Sequence, residues 1–107
     1  MNFIAFDLSL DLVRSLREPL AQLAVHDRAL ADQARRATSS VPLNLAEGRR
    51  RAGKDRIQSY RIAAGSADEV RAALLVAAAW GWLPEPALSA PLALLDRLLA
   101  LAWRLTH

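Results

Sequence analysis

The stretch Asp55–Trp80, DRIQSYRIAAGSADEVRAALLVAAAW, decides the fold. Ile57, Tyr60, Ala64, Ala67, Val70 or Arg71, Leu74 and Ala77–Ala78 recur at steps of three and four, the spacing of one helical face. Asp55 is placed to cap the start and Gly81 to stop the end, after which Pro84-Glu85-Pro86 carries the chain round. Residues 63–67 are all small, so a neighbouring backbone can approach closely there. From Ala72 to Trp80 the segment is apolar or small almost all round. A helix of that kind seeks burial on more sides than one small bundle offers, which predicts self-association.

Working outward, the preceding segment runs from about Arg28 to Gly48. Leu30, Ala34, Ala37, Val41 and Leu45 form its stripe, and Gly48 reads as its stop. Pro42 falls inside it behind Thr38, Ser39 and Ser40, whose hydroxyls can bond nearby carbonyls and ease a bend. A first segment from about Asp7 to Ala24 carries Leu8, Leu12, Leu16, Leu20 and Leu23. Pro19 should distort it or mark an irregular turn, and His26-Asp27 is the break before the next. The last segment, from about Pro86 or Ala87 to Arg104, is striped by Leu88, Leu92, Leu95 and Leu99. No stretch has a strand pattern of useful length. These segments predict an all-α protein, an antiparallel up-and-down four-helix bundle formed as one domain over residues 1–107.

Composition narrows the function. The chain has 107 residues, 53% of them apolar and 6% aromatic, and no cysteine. A disulfide scaffold, a thiolate metal site and a cysteine nucleophile are therefore excluded. The N-terminal MNFIAFDLSLD has no basic n-region and meets Asp7 early, unlike a signal peptide. The charge-free stretches around 72–84 and 86–95 are short for a bilayer and interrupted by proline. A cytoplasmic protein without membrane attachment is the expectation.

Charge is unevenly distributed. Between Arg35 and Arg61 lie eight basic residues (Arg35, Arg36, Arg49, Arg50, Arg51, Lys54, Arg56 and Arg61) against Glu47 and Asp55. That local surplus of six compares with +3 for the whole chain, so the remainder sums to −3. Arg49, Arg50, Arg51, Lys54 and Arg56 are the candidate phosphate contacts, by bidentate forks or as point charges. Helix capping and solubility account for part of such a cluster, but three consecutive arginines followed by Lys54 and Arg56 exceed what capping needs. The segment from Arg35 through Ser59 contains no aromatic residue, which argues against a base-stacking platform there. An acidic protein surface is the alternative partner for the same cations.

Catalytic chemistry has little to stand on. The only histidines, His26 and His107, have no nucleophile context, no Glu-x-x-His pair suggests a di-metal site, and Gly48 and Gly53 lack phosphate-loop spacing. No enzyme activity, metal or cofactor is expected. Glu47 and Glu69, beside apolar helical residues, are read as members of a structural polar network with Gln33, Arg36, Asn44, Tyr60 and Ser66. A carboxylate near a core needs such partners, and Arg36, Asn44, Tyr60 or backbone donors should hold it partly buried. Trp80, Trp82 and Trp103 can cover the core or enter a subunit interface.

Two blocks carry a resemblance. Gln33, Arg36, Ala37, Ser40, Val41, Asn44, Ala46, Glu47 and Gly48 form the first; Tyr60, Ala63, Gly65, Ser66, Glu69 and Gly81 form the second. Across about Leu30 to Leu83 the chain resembles the four-helix-bundle proteins related to the product of intervening sequences in bacterial 23S ribosomal RNA genes. That broad family includes the accessory proteins of diversity-generating retroelements. The resemblance implies a ring of five subunits around a central channel. For the retroelement branch it also implies a basic surface that associates with a reverse transcriptase and nucleic acid. On this analogy Asn44 and Glu47 belong to a polar network at a helix end and Arg49–Arg51 to the basic surface. The arginine run is richer than in many relatives, and Tyr60 stands where phenylalanine is common.

Overall fold

The structure, a computed structural model, describes residues 3–107. The described residues form five helices: α1 (Ile4–Ser15), α2 (Arg17–His26), α3 (Arg28–Arg50), α4 (Gly53–Ala79) and α5 (Glu85–Thr106). The expectation of a four-helix bundle is therefore wrong; this is an all-α bundle of five. The first expected helix is two, parted at Leu16, which leaves helical geometry at φ −99°, ψ −2°. Its amide bonds back to the carbonyls of Leu12 and Val13, while its own carbonyl accepts from Leu20 at 2.9 Å and so starts α2. The break leaves Pro19 in the first turn of α2. The first amides of a helix have no intrahelical partner, so proline's missing donor costs nothing there.

α4 is 27 residues long, about 40 Å at the α-helical rise, and so spans the 42 Å long axis of the molecule. α3 lies antiparallel to it in the most extensive helix–helix contact. Ala31, Ala34 and Ala37 of α3 and Ala63, Ala67, Ala73 and Ala77 of α4 are buried, so small side chains bring the two helices close. Leu12, Leu16 and Leu23 on one side and Leu74, Leu95 and Val70 on the other fill the centre, all at 1% exposure or less. α5 packs on α4 and α1.

α5 is also long and apolar enough to cross a membrane by length and composition, which the division into short charge-free stretches did not anticipate. Leu88, Pro91, Leu95 and Leu98 face the core, and Asp96 and Arg97 are exposed midway along it. A core helix passes the same test.

Helix ends depart from the sequence reading in two places. Asp55 caps nothing; the N-cap of α4 is Ala52, without a side-chain hydrogen bond. Gly48 does not stop α3, which continues to Arg50. Gly48 is buried, and a Cβ on it would lie 2.6 Å from Tyr60 Cε1 and 2.7 Å from Cδ1. Close passage of the Tyr60 ring is what calls for glycine there. Gly81 does stop α4: at φ +80° it donates to Ala78 and Trp82 donates to Ala77, the paired bonds of a Schellman motif.

Candidate nucleic-acid interface

The candidate phosphate contacts sit at the α3–α4 junction. α3 ends in Arg49 and Arg50; Arg51 is its extended C-cap, and Gly53, at φ +56°, turns the chain into α4. Arg49, Arg50, Arg51, Lys54 and Arg56 are all exposed, but their occupations differ. Arg56 Nε donates to the carbonyl of Gly48 at 3.1 Å and Nη2 to that of Arg49 at 3.3 Å. It thereby joins the Arg51 amide, 3.1 Å from the Gly48 carbonyl, in capping the end of α3. Arg51 forks onto Glu47, Nη2 at 2.6 Å and Nε at 2.8 Å from Oε1. The Arg49 guanidinium lies 5.4 Å from the centre of the Phe3 ring, which itself packs 5.9 Å from the Tyr60 ring. Arg50 and Lys54 have no hydrogen-bond or ion-pair partner among the described residues. A shallow groove beside the junction is lined by Asn44, Glu47, Arg51, Asp55, Gln58, Ser59 and Ile62.

The proposed polar network is partly assembled. Asn44 Nδ2 donates to the hydroxyl and the carbonyl of Ser40, each at 2.9 Å, and the Ser40 and Ser66 hydroxyls are 2.7 Å apart across the helix pair. Further along the seam Gln33 Nε2 donates to Glu69 Oε2 at 3.3 Å. Ser40, outside the expected set, is the hub of the first cluster. Its spacing of four from Asn44 was the available signal.

Other members stand apart. Arg36 is exposed and contacts no partner among the described residues. Tyr60 joins the core through its ring, against Gly48 and Phe3. Glu47 is not held by Arg36, Asn44 or Tyr60: its partner is Arg51, and both side chains are nearly half exposed. An exposed pair of this kind contributes at most about 1 kcal/mol, where a buried one would matter far more. Glu69 is exposed as well.

Among the described residues no three of His, Cys, Asp or Glu converge as metal ligands would. The fold is an all-α bundle of five helices among the described residues, with Arg49, Arg50, Arg51, Lys54 and Arg56 at or beside one helix junction. The model of the 23S rRNA-intervening sequence protein family matches residues 2–102. The chain belongs to that family. Neither the curated proteins nor the solved structures give a match, and nothing links the chain to retroelement accessory proteins.

Proposed function

We propose that this protein is a non-enzymatic binding module that takes RNA or DNA by its sugar–phosphate backbone at the α3–α4 junction. The observation that carries the reading is the pair Arg50 and Lys54, exposed and without an intramolecular partner among the described residues. Arg49 and Arg51 flank them, held in place by Phe3 and Glu47. Cations without internal partners are available to displace counterions from phosphates. Contacts of this kind position a nucleic acid but read little sequence. The family's name, tied to a sequence within a ribosomal RNA gene, is in keeping with that partner. Filter binding at low salt tests the reading: structured RNA or duplex DNA should be retained, with affinity falling steeply as salt rises. No retention of either would refute it. If a stoichiometric acidic protein instead persists through nuclease treatment in a pull-down, the cations serve protein docking.

A second reading is self-association. Leu43, Ile62 and Val76 on the outer sides of α3 and α4 are 68%, 45% and 45% exposed, apolar surface that a second subunit would cover. The resemblance supplies the expectation of a pentamer. Light scattering at high concentration tests it; a sharp monomer mass would end it.

A further inference from the structure

Beyond the junction, the fold brings an aromatic ring alongside unpartnered cations far from it in sequence. Arg71 of α4 pairs with Asp96 of α5 at 3.3 Å, and this fixes the antiparallel register of the two helices. Seven residues on along α5 is Trp103; seven residues back along α4 is Ala64. Ala63, Ala64, Leu98 and Ala102 line one apolar crevice, in agreement with that register. Trp103 thus stands about one turn from the level of Arg61 and, at 1.5 Å per residue, about 15 Å along the axis from Lys54.

Arg61, like Arg50 and Lys54, is exposed and has no partner among the described residues, and so is Arg104, beside Trp103. The acids nearest these cations in sequence are Asp55, Asp68 and Asp96, all exposed, and Asp96 is paired with Arg71, so the cations are in excess. Trp103 is 62% exposed, yet its ring is not loose. It stacks on His107 with centroids 3.5 Å apart and planes 17° from parallel. A ring already ordered loses little freedom when a base stacks on it.

We infer that Lys54, Arg61, Arg104 and Trp103 form a track for single-stranded nucleic acid, running from the α3–α4 junction down the α4–α5 side. The cations hold the backbone and Trp103 stacks an unpaired base. A sequence-tolerant stack beside a basic path is the way such strands are held without base readout, and about 15 Å along the axis separates Lys54 from the ring. A duplex keeps its bases inside and gains nothing from the indole. The inference rests on the backbone-binding reading above and adds the strandedness of the ligand.

The test is fluorescence anisotropy at low salt with two probes of about twelve units, an unstructured single-stranded RNA and a duplex DNA. The wild type should favour the single strand. Trp103→Ala should lower single-strand affinity about tenfold and leave duplex affinity unchanged; Trp103→Phe, which keeps a ring, should retain most of it. Arg61→Ala with Arg104→Ala should weaken the single strand more than the duplex. Thermal melting of each variant, expected to match wild type because these side chains are exposed, confirms that they fold. If neither Trp103→Ala nor the Arg61, Arg104 pair alters the single strand selectively, the track is overturned while backbone binding stands. If the wild type binds neither probe, or binds only vesicles of anionic phosphatidylglycerol, both readings fall.

Discussion

The two ends of the bundle solve one problem with different chemistry. At each, a long helix must stop and the chain must turn back, leaving open carbonyls. Where α4 ends, the backbone does the work: Gly81 at φ +80° closes the turn through paired main-chain bonds. A column of rings covers it, His26 on Trp82 at 5.7 Å and Trp82 on Trp80 at 5.4 Å. Where α3 ends, side chains do the work: Arg56 bonds the carbonyls of Gly48 and Arg49, and Arg51 grips Glu47. The difference teaches that arginines adjacent in sequence divide into those that hold the turn and those that remain free for a ligand. Charge density alone does not separate them.

The comparison breaks most sharply at Gly48. Gly48→Ala would drive a Cβ to 2.6 Å from the Tyr60 ring, and overpacking of this kind costs about 1–3 kcal/mol. Thermal melting by circular dichroism should show the largest loss here. A melting temperature equal to wild type would mean that Tyr60 moves freely and that the α3–α4 approach is not tight.

Next in size are the two turn devices. Arg56→Ala should cost about 1 kcal/mol through its lost bonds to the end of α3, and Arg56→Lys, which lacks the planar fork, should recover only part. Gly81→Ala, forced to a positive φ, should cost about 1 kcal/mol at the other end. Urea titration of the pair sharpens the contrast. An Arg56→Ala protein as stable as wild type would return Arg56 to the pool of free cations.

Smaller still is Glu47→Ala. Its pair with Arg51 is exposed, so stability should change by less than about 1 kcal/mol. Releasing Arg51 and removing a negative charge should raise affinity for a phosphate backbone. Melting together with low-salt binding checks both; a large stability loss with no gain in binding would restore Glu47 to a structural role.

Helix identity was legible because three- and four-residue apolar steps recur through every segment, and the observed limits of α4 fall within two residues of those expected. The break at Leu16 was not legible. Pro19 is compatible with a distorted helix or with the first turn of a new one, and Leu16 and Leu20 are buried in the outcome that packing selected.

The partner of Glu47 was hidden by one misread residue. Gly48 was read as the end of α3, but the helix runs on to Arg50, and Arg51, its C-cap, stands four residues from Glu47 and within reach of it. Arg36, one of the expected partners beside Asn44, Tyr60 and backbone donors, lies three turns away, about 16 Å. The level of Trp103 along α4 was beyond any local pattern, since it depends on the register of α5 against α4.

The most direct measurement of the central claim is the salt dependence of RNA binding by the wild type and by Arg50→Ala, Lys54→Ala combined. These residues hold no part of the fold among the described contacts, so the variant should melt as the wild type does. Its affinity should fall strongly, and the slope of log affinity against log salt should shrink by about 1.5, as for two lost phosphate contacts. A variant that binds with unchanged affinity and slope would contradict the account.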